Sequence, residues 1–189
     1  MNTGRQAALN TLGNIVSLGC QWLIIMLIPR MGDFAEAGVF SVAISICSIL
    51  NLVATFNLQI YQVSDAHTRF EENTYRVVRI ATIILSFVCV VPFLLVGDYS
   101  TEQTLTVLAY LVYRTFIHFG YLYMSALQIR ERLDFVGIVT ALEGVVSLAS
   151  FIAVYSTTGN LALSVLVMAL LGGLAYVLPL MAGYLRYFG

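Results

Sequence analysis

The stretch Leu161–Leu180, LALSVLVMALLGGLAYVLPL, decides the fold class of this chain. It contains no charged side chain, and its length matches the roughly 20 mainly apolar residues that a helix needs to cross a membrane. A strand of a membrane β-barrel is much shorter and alternates polar with apolar residues, which this stretch does not do. The stretch therefore predicts a membrane-spanning helix.

Five further runs of the same kind precede it along the chain. Their bounds are Leu9–Ile28, Val39–Ile60, Val77–Val96, Leu105–Leu127 and Phe135–Tyr155. In lipid every backbone polar group must find its hydrogen bond within the protein, so continuous apolar runs of this length form helices. The sequence predicts an all-α membrane protein, a bundle of six transmembrane helices in which residues 1–189 form one domain.

The composition excludes the main soluble classes of protein. Of the 189 residues 60% are hydrophobic and 10% are charged, against about 25% charged in soluble domains. The nine basic residues are all arginine and ten acids balance them, so there is no polycationic tract for nucleic acid. Because metal-spaced clusters, nucleophile elbows and phosphate-binding loops are missing, we predict no enzyme activity, no catalytic residue, no metal and no cofactor.

The arginines outside the spans predict the orientation. Six lie on one side of the predicted topology and one, Arg30, lies on the other. The six are Arg5, Arg69, Arg76, Arg130, Arg132 and Arg186. Since positive charge collects on the cytoplasmic side, we predict a multi-pass protein of the bacterial inner membrane with both termini in the cytoplasm.

Four spans carry polar side chains at helical spacing, i, i+3, i+4 and i+7, which places each set on one helix face. Lipid cannot satisfy these groups, so we expect the faces to turn inward, where they either join helices or line a water-filled cavity. The stripes are Asn10, Asn14, Ser17 and Gln21; Ser41, Ser45, Ser48, Thr55 and Gln59; Tyr110, Arg114, His118, Tyr121, Ser125 and Gln128; Thr140, Glu143, Ser147 and Ser150.

Arg114, His118 and Glu143 stand out because a charge at mid-bilayer costs at least about 2.5–3.5 kcal/mol. A hairpin about Glu131 places His118 nearly level with Glu143, with Arg114 one turn further. We therefore expect Glu143 to contact His118, with Arg114 as its second candidate partner. Two interpretations stay open for His118 with Glu143: an ion pair that fixes helix register, or a proton-coupling pair.

Arg114 is the first candidate for contact with an anionic substrate group, and Tyr110, Asn14 and Gln21 are the other substrate-binding candidates. Arg79 lies one turn into its span, so we expect its side chain to extend to the interface. Pro29 is expected to end the first span, and Pro92 and Pro179 to kink theirs. The small residues Ala169, Gly172, Gly173 and Ala175 predict a close approach of the sixth helix to a neighbour.

Several segments resemble bacterial polysaccharide-biosynthesis membrane proteins. They are Asp33–Ser41 (DFAEAGVFS), Leu58–Asp65 (LQIYQVSD), Tyr75 with Arg79, and Arg130–Asp134 (RERLD). The proteins they resemble are the Wzx-type repeat-unit flippases of the multidrug/oligosaccharidyl-lipid/polysaccharide exporter superfamily. The resemblance implies the N-terminal six-helix half of a transporter that carries undecaprenyl-pyrophosphate-linked oligosaccharide to the outer leaflet for O-antigen, capsule or exopolysaccharide.

The resemblance also implies partners: the lipid-linked oligosaccharide, membrane lipids and a second six-helix half. Three alternatives stay open for the chain itself, namely a fragment, a truncated gene product and a half-transporter that dimerises. Two other functions also stay open. The chain could belong to a drug or small-solute exporter of the same superfamily, or it could be a non-transporting scaffold of a polysaccharide assembly complex.

Overall fold

The computed structural model describes residues 3–55, 60 and 72–188, and in this part of the chain the secondary structure is entirely helical. Each of six long helices contains a stretch long and apolar enough to cross a membrane. They are α1 (Thr3–Met31), α2 (Phe34–Thr55), α3 (Glu72–Val96), α4 (Thr101–Ile129), α5 (Leu133–Thr158) and α6 (Leu161–Phe188). The predicted all-α bundle of six membrane-spanning helices is confirmed.

Most helices extend beyond the apolar runs that predicted them. α1 begins at Thr3 rather than Leu9, and α6 continues to Phe188 rather than ending at Leu180. Helical hydrogen bonding continues where polar side chains leave the apolar layer, so hydropathy marks the membrane-embedded part and not the helix end. Pro29 lies inside α1, which ends two residues later at Met31.

Parts of three sequence-based predictions fall outside the described residues. The second span was predicted to reach Ile60, whereas α2 is described to Thr55, and residues 56–59, which include Gln59 of the α2 stripe, lie outside the described ranges. Residues 61–65, the Tyr-Gln-Val-Ser-Asp part of the family-like segment, and Arg69 also lie outside them.

Local hydrogen bonds explain where several helices begin and end. The Ser100 hydroxyl accepts from the Gln103 amide N–H at 3.2 Å, while the Gln103 side chain accepts from the Ser100 N–H at 2.9 Å, a reciprocal cap at the start of α4. The Asp33 carboxylate accepts from the Glu36 N–H at 2.8 Å and caps α2. Gly159 ends α5 in the left-handed conformation, with φ +60°, which glycine adopts without strain.

The helices form two adjoining groups. α1 packs most extensively on α5, and α6 packs against both α4 and α5. α2 packs on α4 and α3, so α4 joins the two groups. Trp22, Leu95 and other large apolar side chains face outward, as expected for helices surrounded by lipid.

Glycines allow the closest helix contacts. A Cβ on Gly144 of α5 would lie 2.6 Å from the Cα of Ser17, and one on Gly137 would lie 2.6 Å from the Cα of Asn10, so α1 and α5 touch through their backbones. On α6, Gly172 packs against Ser147 of α5 and Gly173 against the Phe116 ring of α4. The predicted close approach of the sixth helix through its small residues is confirmed.

The predicted orientation leads to a direct test with reporter fusions. If each helix crosses the membrane, successive connections alternate between the two sides, so fusions after Arg30 or Asp98 should report an external location. Fusions after Arg69 or Arg130 should report a cytoplasmic one. Paired alkaline phosphatase and fluorescent protein fusions at the four positions measure this. A reversed pattern would contradict the predicted orientation of both termini.

Candidate functional site

A polar cavity of about 280 Å³ lies between α1, α4, α5 and α6. All four residues of the α1 stripe line it, which agrees with the expectation that this face turns inward. The other helices add three tyrosines, an arginine, a threonine and a glutamate. The polar lining comprises Asn10, Asn14, Ser17, Gln21, Tyr113, Arg114, Tyr121, Thr140, Glu143 and Tyr176.

Glu143 of α5 is the acidic group of this cavity, and its side chain is 2% exposed. The Ser17 hydroxyl of α1 donates to Oε2 at 2.9 Å, and the Tyr113 hydroxyl of α4 donates to Oε1 at 2.5 Å. The Ser147 hydroxyl, one turn further along α5, donates to Oε1 at 3.0 Å. The carboxylate therefore joins three helices, and hydroxyl groups rather than a cation surround it. We call Ser17, Tyr113 and Ser147 the hydroxyl triad.

The expected contact of Glu143 with His118 is wrong. Within the described ranges, neither His118 nor Arg114 is a hydrogen-bond or ion-pair partner of Glu143. The reason is the direction around the helix axis. Tyr113 faces Glu143, and His118, five residues further along α4, points about 140° away from it. Equal height in a hairpin does not bring two side chains to the same face.

His118 instead faces a small cavity of about 10 Å³ between α2, α3 and α4, together with Cys47, Asn51 and Ser86. It is 3% exposed, and its Nδ1 has no hydrogen-bond partner among the described residues. An ion pair of His118 with Glu143 would need a different arrangement of α4. The coupling of protons by either residue stays a prediction.

Arg114 lies between the two cavities and lines both. One guanidinium nitrogen donates to the Asn51 side-chain oxygen of α2 at 2.9 Å. An arginine has five N–H donors. Among the described residues, Asn51 is the hydrogen-bond acceptor of Arg114. Arg114 thus lies in the lining of the polar cavity inside the bundle, with one guanidinium nitrogen held by Asn51 of α2.

The other substrate-binding candidates separate into two neighbouring places. Asn14 and Gln21 line the polar cavity with Arg114, while Tyr110 does not. Tyr110 lines an adjoining, mainly apolar pocket of about 110 Å³, packed edge-on against Phe40 at 5.7 Å between ring centres. Gln21 lines both spaces and donates to the Tyr113 hydroxyl at 3.3 Å. Gln21 and Tyr113 therefore form the wall between the polar cavity and the apolar pocket.

Two further expectations are wrong. Arg79 does not extend to the interface, because its side chain is 1% exposed and lies inside the bundle. The serines of the α2 stripe do not turn inward, since Ser41, Ser45 and Ser48 are exposed. Each of these hydroxyls donates to the backbone carbonyl four residues earlier, at 2.7–2.8 Å. A serine satisfied by its own helix can face lipid at little cost.

Asn51 and the hydroxyl-triad role of Tyr113 are the functional features that sequence reasoning missed. Asn51 has the spacing of the α2 stripe, three residues after Ser48 and four before Thr55, but was not counted in it. Tyr113, between Tyr110 and Arg114, was treated as an apolar residue. A usable signal was the seven-residue spacing of Gly137 and Gly144, which marks the face of α5 that contacts another helix closely. Glu143 adjoins that face.

Glu143→Leu is expected to destabilise the bundle, because three hydroxyl groups would lose their acceptor in a buried place. Each buried polar group left unsatisfied costs about 1–3 kcal/mol. Glu143→Gln keeps one oxygen acceptor, so its effect should be clearly smaller. Thermal unfolding in detergent measures both, and Leu142→Ala, at an exposed neighbouring position, controls for substitution on α5. Equal stability of Glu143→Leu and wild type would contradict the described role of the triad.

The part of the chain that the structure describes, residues 3–55, 60 and 72–188, brings no three His, Cys, Asp or Glu side chains together as a metal-binding group. No protein-family model, curated protein or solved structure matches the chain.

Proposed function

We propose that this membrane protein forms half, or a fragment, of a transporter that moves lipid-linked oligosaccharide repeat units across the bacterial inner membrane for surface polysaccharide synthesis. The observation that carries the proposal is Arg114 in a polar cavity at membrane depth. A cation in this place is costly, and such residues mark substrate or ion pathways by default. The sequence resemblance to repeat-unit flippases gives independent support for the substrate class.

The chemistry of Arg114 suits a pyrophosphate group. A planar guanidinium can donate two parallel hydrogen bonds to phosphate oxygens. Asn14, Gln21 and Tyr121 line the same cavity and supply neutral hydrogen-bonding groups for hydroxyls of a sugar. The adjoining pocket beside Tyr110 and Phe40 is mainly apolar, so the two spaces together suit an amphipathic ligand.

The size of the cavity limits what this chain holds by itself. Pockets for small ligands usually measure about 300–1,000 Å³, and the polar cavity measures about 280 Å³. It accommodates a head group rather than an oligosaccharide with its lipid. A complete binding site for the substrate therefore needs a second surface, which fits the proposed second six-helix half.

Complementation tests the proposed function. The full protein that contains this chain is expressed in a host that lacks its own repeat-unit flippase, and surface O-antigen or capsule is measured. We expect restored export. Correct membrane location without restored export would contradict the substrate assignment, and drug resistance without a change in surface polysaccharide would indicate a small-solute exporter. Retrieval of polymerase or glycosyltransferase partners, with activity that is insensitive to changes at Arg114 and Glu143, would indicate a scaffold.

A further inference from the structure

The polar cavity contains two opposite charges that do not pair. Arg114 and Glu143 both line it, and Arg114 directly follows Tyr113, which donates to Glu143. Opposite charges attract strongly where the surroundings are apolar. An ion pair between them would remove the cationic group that the cavity offers to an anion. The described contacts show what each charge binds instead.

Each charge is held by neutral partners on its own side. The hydroxyl triad supplies three donors to the Glu143 carboxylate from α1, α4 and α5. Asn51 of α2 accepts from Arg114 at 2.9 Å on the opposite side of the cavity wall. The small cavity that Arg114 shares with Asn51 and His118 has no carboxylate in its described lining. Asn51 is therefore the acceptor available to Arg114 away from Glu143.

We propose that Asn51 is a positioning residue that holds Arg114 away from Glu143 and so keeps the guanidinium available to an anionic head group. The inference rests on the proposed role of Arg114 as the anion contact. A neutral amide suits this task, because it orients the guanidinium without neutralising it. A carboxylate at the same position would form an ion pair and compete with the ligand. Without Asn51, Arg114 turns to Glu143 and the anion site is lost.

The test compares Asn51→Leu in two backgrounds. The purified chain is placed in phosphatidylcholine nanodiscs, and its affinity for farnesyl pyrophosphate is measured against farnesol as the uncharged probe. Asn51→Leu should weaken farnesyl pyrophosphate binding about tenfold, as expected for a lost charged contact, and leave farnesol binding unchanged. In the Glu143→Gln background, Asn51→Leu should weaken farnesyl pyrophosphate binding by a much smaller factor, because no carboxylate competes for Arg114.

A matched control is available on the same helix. Ser48→Ala removes a hydroxyl that donates to the Ile44 carbonyl of its own helix at 2.7 Å, so the affinity should stay at the wild-type level. If the Asn51→Leu protein is not recovered from the membrane, Asn51→Ala is used in its place. If the wild-type chain binds farnesyl pyrophosphate in preference to farnesol, an unchanged affinity in the Asn51 variant, or an equal loss in both backgrounds, would overturn the positioning role.

A second measurement separates this inference from the proposed function, because it needs no ligand. Asn51 and Glu143 do not bond to each other, so independent substitutions should change the unfolding temperature additively. If Arg114 pairs with Glu143 once Asn51 is replaced, the two changes in unfolding temperature are not additive. Asn51→Leu should lower the unfolding temperature less when Glu143 is present, since a new ion pair offsets the lost hydrogen bond, than in the Glu143→Gln background. Additive changes overturn the inference. Non-additive changes without preference for pyrophosphate over farnesol uphold it and contradict the substrate.

Discussion

Arg114→Gln is expected to abolish export of lipid-linked oligosaccharide while the amount of folded protein in the membrane stays near the wild-type level. Glutamine is neutral, and removal of a charge at membrane depth lowers the cost of insertion. What is lost is the proposed cationic contact with the pyrophosphate. Arg114→Lys should recover only part of the activity, because lysine keeps the charge but loses the bidentate fork. Surface polysaccharide, normalised to membrane protein, is the measurement.

Arg30→Gln is the matched control for this prediction. Arg30 is also an arginine within a helix, but it lies exposed in the last turn of α1 and lines none of the cavities described above. Its loss should leave export unchanged. Normal export from a well-expressed Arg114→Gln protein would end the assignment of Arg114 as the anion contact.

Gly144→Leu is expected to separate α1 from α5 and to lower the folded yield sharply. A Cβ at this position would already lie 2.6 Å from the Cα of Ser17, and the α1 backbone cannot move aside without breaking the Ser17 bond to Glu143. Overpacking of a tight interior costs about 1–3 kcal/mol, and the lost hydrogen bond adds to it. Monodisperse yield and thermal unfolding in detergent measure the effect.

A glycine on the other face of α1 provides the control for Gly144. A Cβ on Gly19 would meet no atom within 4 Å. Gly19→Ala should stabilise the helix slightly, since alanine is favoured over glycine in a helix interior by about 0.5–1 kcal/mol, whereas Gly144→Ala should destabilise the bundle. The same sign for both alanine variants would contradict the close α1 and α5 contact.

The six helices could be predicted from the sequence because a long apolar run satisfies its backbone hydrogen bonds in lipid by forming a helix. The position of Leu161–Leu180 as a span needs no knowledge of its neighbours. Side-chain partners are different, since they depend on how each helix is rotated. The hairpin argument placed His118 and Glu143 at one height, yet the rotation of α4 directs Tyr113 toward Glu143 and His118 toward α2.

The partners of Glu143 also come from distant parts of the chain. Ser17 lies on α1, and the close packing of α1 on α5 brings it to the carboxylate through Gly144. That contact depends on which helices become neighbours, which single-helix periodicity does not reveal. The burial of Arg79 has the same origin. Its position one turn into the predicted span suggested a side chain at the membrane interface, but α3 packs into the bundle with this side chain inside.

Leaflet exchange in proteoliposomes measures the proposed transport without a cellular host. Vesicles are loaded with an undecaprenyl-pyrophosphate-linked oligosaccharide, the full protein that contains this chain is reconstituted, and an external glycosidase reports the fraction of substrate that becomes accessible. We expect accessibility to rise beyond the outer-leaflet fraction with wild-type protein and not to rise with Arg114→Gln. Accessibility with wild-type protein that stays equal to that of protein-free vesicles would contradict the proposed transport.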